Sequence, residues 1–216
     1  MARGHKEALR AAARTLLRRK GLQATTARDL VEESATNLAS IGYHFGGKDA
    51  LMGAALTDLI EEWSQRPVAA GRQAHGTGPG RPLAAALRTM LDGLDGRRSE
   101  ILAVLEAVVA SGHGDPIGAA LPAAMRGTLA AVTREMQRSA PELTAQEAAT
   151  ASVVIVALHD GLALLSTVVP EAVPGPEAVL AALAGLGEEL QPVVGTDARQ
   201  VSTTIERRGG RGNERS

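Results

Sequence analysis

Residues 25–51 read TTARDLVEESATNLASIGYHFGGKDAL, and they predict two short helices joined by a tight turn. Thr26 can cap the first helix, because Asp29 follows three residues later and completes a capping box. Ala35 and Thr36 form the predicted turn, after which Asn37 can cap the second helix. Two short helices connected in this way are typical of proteins that place the second helix in the major groove of DNA.

The second of these helices should have one buried face and one exposed face. Helical spacing predicts that Leu38 and Ile41 point into a small core. The face left outside would then carry Ser40, Gly42, Tyr43 and His44.

The first 48 residues are basic. They contain nine Lys and Arg against four Asp and Glu, a net charge of +5 in a chain whose total is −1. A basic head on an acidic body suits DNA binding, because neutralising phosphates supplies most of the non-specific affinity. Taken alone, the charge fits a solvated helix face equally well.

The stretch 25–51, and more loosely 5–65, resembles the N-terminal domain of the TetR family of bacterial transcriptional regulators. The most specific part is IGYHFGGKDAL, residues 41–51, which resembles the end of the family's recognition helix and the start of its fourth helix. The chain departs from the family at Ala35, where the family usually has Gly in the turn. A left-handed backbone at that position would cost Ala about 1 kcal/mol.

The resemblance implies which residues contact DNA. The positions that align with DNA-contacting residues of the family are Arg28, Asn37, Leu38, Ser40, Tyr43 and His44. Arg28 could donate to guanine, Leu38 and Ala39 could contact a thymine methyl, and Asn37 should serve mainly as the cap. The phosphate candidates, which would set register rather than sequence, are Thr26, Tyr43, His44 and Lys48.

The predicted fold is all-α, with an N-terminal three-helix helix-turn-helix DNA-binding domain and a C-terminal helical ligand-binding and dimerisation domain. The boundaries are 1–47 for the head, 48–194 for the body and 195–216 for a polar tail that we expect to be disordered. We expect a fourth helix from Lys48 to about Gln65, stopped before Pro67. A later helix, beginning after Asp115, should be interrupted or kinked at Pro122.

Residues 144–169 are apolar on nearly every face and long enough to span a membrane. We reject a membrane partner, because His159 and Asp160 lie in the middle, where an Asp costs about 2.5–3.5 kcal/mol. Such a helix instead serves a core and an interface. The last helix repeats apolar residues at four-three spacing, so the last two helices predict a homodimer; the repeating residues are Val179, Leu183, Leu186, Leu190 and Val193.

The resemblance also implies a small-molecule effector that binds in the helical body and changes the separation of two heads. The ligand-binding candidates are Trp63, Met90, Arg97, Glu106, His113, His159 and Asp160. Each has a plainer alternative: His159 and Asp160 can satisfy each other, and His113 can be an ordinary loop residue.

Other function classes lack their signatures in this chain. Without Cys there is no disulfide or thiolate chemistry, and a cytoplasmic location is natural. Without a His-Glu-x-x-His motif or a nucleophile elbow, we predict no catalytic residue, no metal site, no cofactor and no enzyme activity. The function predicted is a regulator, expected to be a repressor, that binds a palindromic double-stranded DNA operator as a dimer and is released by its effector. The alternative is a small-molecule-binding or dimerisation protein whose head has lost specific DNA binding.

Overall fold

The computed structural model describes residues 2–74, 81–94, 96–111 and 116–190. Over these ranges the chain forms helices and no strand, which confirms the all-α prediction. The helices are α1 Ala2–Lys20, α2 Ala27–Ser34, α3 Leu38–Phe45, α4 Lys48–Gln73, α5 Arg81–Asp92, α6 Arg98–Ser111, α7 Pro116–Ser139, α8 Ala145–Val168, a 3-10 helix Pro170–Ala172, and α9 over 176–190.

The chain divides into two compact units, Met1–Pro174 and Gly175–Ser216. The first holds α1 to α8 and the 3-10 helix, and α9 is the helix described in the second. The tail predicted to be disordered, 195–216, lies outside the described residues.

Both predicted N-caps of the head are formed. Thr26 and Asp29 make a reciprocal capping box, with Asp29 N donating to Thr26 Oγ1 at 3.2 Å and Thr26 N donating to Asp29 Oδ2 at 2.7 Å. Asn37 Oδ1 accepts from Ser40 N at 3.0 Å. A hydrogen bond from Lys20, together with those from Thr26, holds the pKa of Asp29 well below its usual range. Asp29 therefore stays charged, and a negative charge at a helix N-terminus stabilises the helix.

Ala35 adopts the left-handed conformation that the turn between α2 and α3 requires, with φ 51° and ψ 38°. Its N–H caps α2 by donating to Glu32 O at 3.3 Å. The turn is therefore made without the glycine that is usual there, at the cost that a Cβ imposes on this backbone.

The large buried side chains of the head form one cluster with those of α4. The fully buried members are Leu9, Leu16, Leu17, Leu30, Leu51, Met52, Leu56 and Leu59. The same cluster continues into α6 and α7 through Ala103, Ala107, Leu121 and Ala124. Helix α4 contributes to this core and contacts both α1 and α3. A displacement of α4 would therefore shift the packing of α1 and α3.

The helix end predicted before Pro67 and the interruption predicted at Pro122 are wrong, while a kink at Pro122 stays a prediction. Helix α4 continues through Pro67 to Gln73, and α7 runs unbroken through Pro122. A proline in a helix interior costs about 3 kcal/mol, because it lacks an N–H and its ring clashes with the preceding turn. Tertiary packing of α4 along α5 and α7 outweighs that local penalty.

Gly71 shows how close this packing is near the end of α4. A Cβ at this position would lie 3.0 Å from the carbonyl oxygen of Pro82 and 3.3 Å from Glu135 Oε1. The absence of a side chain therefore allows the first turn of α5 to approach α4.

The two faces of α3 also differ from the prediction. Leu38 is 61% exposed rather than buried, and Ser40 is only 9% exposed rather than facing outward. Ile41 is buried as expected. The reason is the cap: Ser40 follows Asn37 by three residues and donates to its side chain from both N and Oγ.

Helix α8 packs one side on α7, where Thr133 Oγ1 donates to the fully buried Ser152 Oγ at 3.0 Å. Among the described residues it is the one helix long and apolar enough to cross a membrane, with a mean hydropathy of 1.8 in a window that is 22% buried. Its exposed side carries an apolar stripe, which we call the α8 stripe: Val153, Val154, Leu164, Leu165 and Val168.

Candidate functional site

Helix α3 presents Tyr43 as its most prominent side chain. Tyr43 is 82% exposed, and its ring meets that of His44 edge to face, with centroids 4.8 Å apart. Leu38 and Ala39 are exposed on the same short helix. An exposed aromatic with a polar end, next to small and apolar side chains, can contact both phosphates and base edges in a groove.

The other predicted DNA-contacting residues differ in whether their side chains are exposed and free to bond to DNA. Arg28 and Thr26 are exposed on α2 and its cap, although the Thr26 hydroxyl already bonds to Asp29. The side-chain oxygen of Asn37 is used by the cap, and Ser40 is nearly buried. Lys48 pairs with Asp49 at 3.1 Å and lies 3.5 Å from Thr25 O, at the N-terminus of α4.

Much of the positive charge of the head is neutralised within the protein. Arg10 pairs with Asp58, and Arg18 lies 2.5 Å from Glu62 and 2.8 Å from Glu100. Three further pairs are Arg19–Glu33, Lys20–Asp29 and Lys48–Asp49. Five of the nine basic side chains in residues 1–48 therefore have acidic partners. The partners of Arg10, Arg18 and Lys48 lie outside residues 1–48, so the net charge of +5 counted from the sequence overstates what the head offers to DNA.

A cavity of 240 Å³ opens beside α4 in the body. Its wall is made by α4, α5, α6, α7 and α8, and most of its side chains are aliphatic or thioether. These include Ile60, Val68, Leu83, Leu87, Met90, Ile101, Val104, Leu105, Leu121, Met125, Val132, Met136, Ile155 and Val156.

The cavity brings together four of the predicted ligand-binding residues, namely Trp63, Met90, His159 and Asp160. His159 Nδ1 lies 3.0 Å from Asp160 Oδ1, and its ring meets that of Trp63 edge to face at 6.5 Å. Arg97 is not on the wall, and its guanidinium lies 5.8 Å from the centre of the Trp63 ring. Glu106 is not on the wall, and His113 lies outside the described residues.

A polar network joins Trp63 to the head. The indole Nε1 donates to Glu100 Oε2 at 3.0 Å, and Glu100 Oε1 accepts from Arg18 Nε at 2.8 Å. The guanidinium Nη2 of Arg18 donates to Glu62 Oε2 on α4. Glu100 is only 8% exposed, and a buried carboxylate of this kind depends on its partners to offset desolvation. Sequence reasoning missed this role, because Arg18 and Glu100 are 82 positions apart.

Glu135, which lines the cavity, is another residue whose role sequence reasoning missed. It is 7% exposed on α7, and it accepts hydrogen bonds from Arg72 on α4 and from Arg138 and Ser139. Burial would raise the pKa of Glu135, but these hydrogen bonds outweigh burial and lower it. Helical spacing could have indicated that Glu135 lines the cavity. Glu135 shares one face of α7 with Thr128, Val132 and Met136.

Within the described ranges, no group of three or more His, Asp or Glu side chains is arranged to hold a metal ion. Two buried side-chain oxygens there lack a hydrogen-bond partner, Glu106 Oε2 and Thr128 Oγ1. Thr128 belongs to the cavity wall.

Two sequence families match the chain. Residues 9–55 match the bacterial regulatory proteins of the tetR family, and residues 79–191, more than half of the chain, match the C-terminal region of BetI-type transcriptional repressors. No curated protein matches the chain significantly.

Solved structures of transcriptional regulators share the fold. One from Pseudomonas aeruginosa PAO1 is 25% identical, with 86% of this chain and 89% of that chain covered and a TM-score of 0.65. One from Rhodococcus sp. Rha1 is also 25% identical, with 87% and 96% covered and a TM-score of 0.62.

A third structure holds a ligand. It is a regulator from Saccharomonospora viridis in complex with choline, 19% identical, with 85% of this chain and 95% of that chain covered and a TM-score of 0.62. At that identity the likeness concerns the fold alone. The head motif and the match over residues 79–191 go further: the chain belongs to the TetR family of bacterial transcriptional regulators, which are DNA-binding proteins and not enzymes.

Proposed function

We propose that this protein is an effector-responsive repressor that binds a palindromic operator as a homodimer and leaves it when a small molecule enters the cavity beside α4. The observation that carries the proposal is that α4 and its partners connect two sites. The head, with Tyr43 exposed on α3, packs on one end of α4, and the cavity lies along its other end.

The DNA-reading surface consists of Arg28, Leu38, Ala39, Tyr43 and His44. Tyr43 and His44 reach phosphates, while Arg28, Leu38 and Ala39 reach base edges. Asn37 and Ser40 support this surface by holding the first turn of α3, because their polar groups bond to each other. Lys48 and the start of α4 offer a further phosphate contact. The boundary of the head as a separate domain, 1–47, remains part of this proposal.

One such head spans only a few base pairs, so specific recognition needs two. In helix-turn-helix dimers the two recognition helices lie about 34–36 Å apart, which is one turn of DNA. The apolar α8 stripe supports a two-fold contact between copies, because its side chains are exposed in a single chain. In α9, Leu183, Leu186 and Leu190 are exposed as well. We propose that both helices contribute to the dimer, in a cytoplasmic protein with no membrane contact.

The effector acts by favouring one arrangement of α4. Trp63 is on the cavity wall and bonds to Glu100, which bonds to Arg18 in the head. A ligand that displaces Trp63 would change this contact and the position of α1. Such a ligand must favour the released arrangement by a few kcal/mol to empty the operator.

The test is DNA binding by the purified full chain to duplex from upstream of its own gene, against random duplex at rising salt. We expect a sequence preference, and we expect Tyr43→Ala to weaken binding at least tenfold while leaving thermal stability unchanged, since Tyr43 is 82% exposed. Tyr43→Phe, which keeps the ring, should lose less. A dimeric, folded protein without any sequence preference would favour the alternative of a ligand-binding protein with an inactive head.

A further inference from the structure

We propose that the cavity takes a neutral, mainly aliphatic molecule with one small hydrogen-bonding end, and that it excludes quaternary ammonium cations and carboxylates. This inference rests on the proposed role of the cavity as the effector site, and it names the chemical class of the ligand.

The wall favours aliphatic chains. Met90, Met125 and Met136 line it together with branched aliphatic side chains. Thioether side chains are flexible and polarisable, so they adapt to chains of varied shape. Each buried methylene should increase affinity about fourfold.

The size of the cavity limits the ligand. A volume of 240 Å³ is many times the minimum that a single water molecule needs. A methylene group is similar in size to a water molecule, so the space has room for a chain of several carbon atoms.

A quaternary ammonium group would find no aromatic cage. Recognition of such cations relies on the faces of several aromatic rings. The chain has one Trp, one Tyr and one Phe, and Tyr43 and Phe45 belong to the head. The remaining ring, Trp63, already has the guanidinium of Arg97 5.8 Å from its centre, and this positive charge repels a second one.

The carboxylates of the wall do not create a cation site either. Glu135 bonds to Arg72 through Oε2 and to Arg138 and Ser139 through Oε1, so both oxygens are used. The side chain of Asp160 is 54% exposed and pairs with His159. Water and a near partner screen it.

An anionic ligand is excluded for a simpler reason. The described wall includes two carboxylates and no Lys or Arg. A carboxylate ligand would lose its hydration there without gaining a positive partner. One uncharged polar group is available instead: the buried hydroxyl of Thr128, which has no hydrogen-bond partner among the described residues. A hydroxyl on the ligand can pair with it.

The experiment compares ligands of one chain length. Trp63 is the single Trp of the chain and lines the cavity, so its fluorescence reports occupancy directly. The full chain is titrated with 1-octanol, octanoate, octyltrimethylammonium and choline. We expect a saturable change with 1-octanol, binding at least tenfold weaker for the two charged eight-carbon compounds, and no saturable change with choline. Shortening to 1-hexanol should weaken binding about tenfold or more.

Matched variants locate the ligand. Ala163→Leu, which fills the cavity wall, should weaken 1-octanol binding at least tenfold, whereas Ala130→Leu on the exposed side of α7 should not. Thr128→Val keeps the shape of the side chain and removes the hydroxyl. It should weaken 1-octanol at least threefold, and unchanged binding would overturn the assignment of the polar end.

Tight binding of octanoate, octyltrimethylammonium or choline would overturn the ligand class, as would the absence of any response to 1-octanol. The same samples are tested for promoter binding. A protein that binds its promoter but ignores 1-octanol refutes the ligand class and leaves the regulator proposal intact. A protein that binds 1-octanol but prefers no duplex refutes the regulator proposal and leaves the ligand class intact.

Discussion

Trp63 Nε1 donates a hydrogen bond of 3.0 Å to Glu100, and the other oxygen of that carboxylate accepts from Arg18 of α1 at 2.8 Å. One nearly buried carboxylate therefore touches a side chain of the cavity wall and a side chain of the head. Buried hydrogen bonds to a charged group are stronger than exposed ones. Removing the carboxylate would take a hydrogen bond from each of the donors that pair with it. Glu100 therefore connects the cavity wall on α4 to α1 of the head.

Glu100→Gln should weaken that link. We expect the free energy of unfolding to fall by about 1–3 kcal/mol, because the neutral amide pairs poorly with Arg18. We also expect 1-octanol to reduce DNA affinity less in the variant than in the parent. Urea unfolding and DNA titration with and without 1-octanol measure both effects. Glu142→Gln, an exposed Glu, serves as the control. A variant with the full response to 1-octanol would show that coupling does not pass through Glu100.

Arg28 and Arg19 offer a matched test of which basic residues face DNA. Arg28 is exposed on α2, whereas Arg19 lies 3.2 Å from Glu33. Arg28→Ala should cost about 1–3 kcal/mol of DNA-binding energy, the range for an Arg–guanine contact, which is at least a fivefold loss. Arg19→Ala should change affinity less than threefold, because its charge already has a partner. Equal losses measured by fluorescence anisotropy would contradict this interpretation.

Ala35→Gly should stabilise the protein. Ala35 has φ 51°, a conformation that disfavours any residue with a Cβ and suits Gly. We expect a gain of about 0.5–1 kcal/mol in the free energy of unfolding. The same substitution at Ala39, inside α3, should instead cost about 0.5–1 kcal/mol. Urea unfolding measures both changes in the free energy of unfolding. Changes of the same sign would contradict a left-handed backbone at Ala35.

Glu135 should make stability depend on pH. Its pKa is lowered from the ordinary value of 4.5, since the hydrogen bonds from Arg138 and Arg72 outweigh burial. A group with a lowered folded-state pKa stabilises the protein above its unfolded pKa, and this contribution is lost as the pH falls through the folded value. Glu135→Gln should therefore cost about 1–2 kcal/mol at pH 7, discounted because both arginines are partly exposed.

Below about pH 4 the difference between the parent and Glu135→Gln should shrink, because the protonated Glu resembles Gln. Urea unfolding at pH 7 and pH 3 measures it, again with Glu142→Gln as the control. A difference that stays constant between the two pH values would contradict a contribution from the charge of Glu135.

The α8 stripe gives the test of dimerisation. Val154 is 59% exposed in the single chain, so a charge there should be tolerated by a monomer but not by an apolar interface. We expect Val154→Glu to shift the protein from dimer to monomer in analytical ultracentrifugation. Gln146→Glu, at an exposed polar position of the same helix, should leave the dimer intact. A parent protein that is already monomeric would refute the dimer.

Local chemistry along the chain was enough to predict the head. The caps at Thr26 and Asn37 depend on residues within a few positions of one another, so they could be recognised without knowledge of the packing, as could the turn after α2. The exposure of Tyr43 followed from helical spacing, as did the burial of Ile41. The spacing failed for Ser40, whose polar group bonds to the neighbouring cap, and for Leu38, which is exposed.

The body was predictable only as helices. Propensity placed breaks at Pro67 and Pro122, and packing along α4 and α7 overrides both. The apolar wall of the cavity and the contacts Arg18–Glu100 and Arg72–Glu135 join residues far apart in the chain. Local patterns were enough to predict the fold of the head, because caps and turns depend on interactions between residues close together in the sequence. The site's chemistry depends on which distant helix faces meet, and that depends on the tertiary packing of five helices around one cavity.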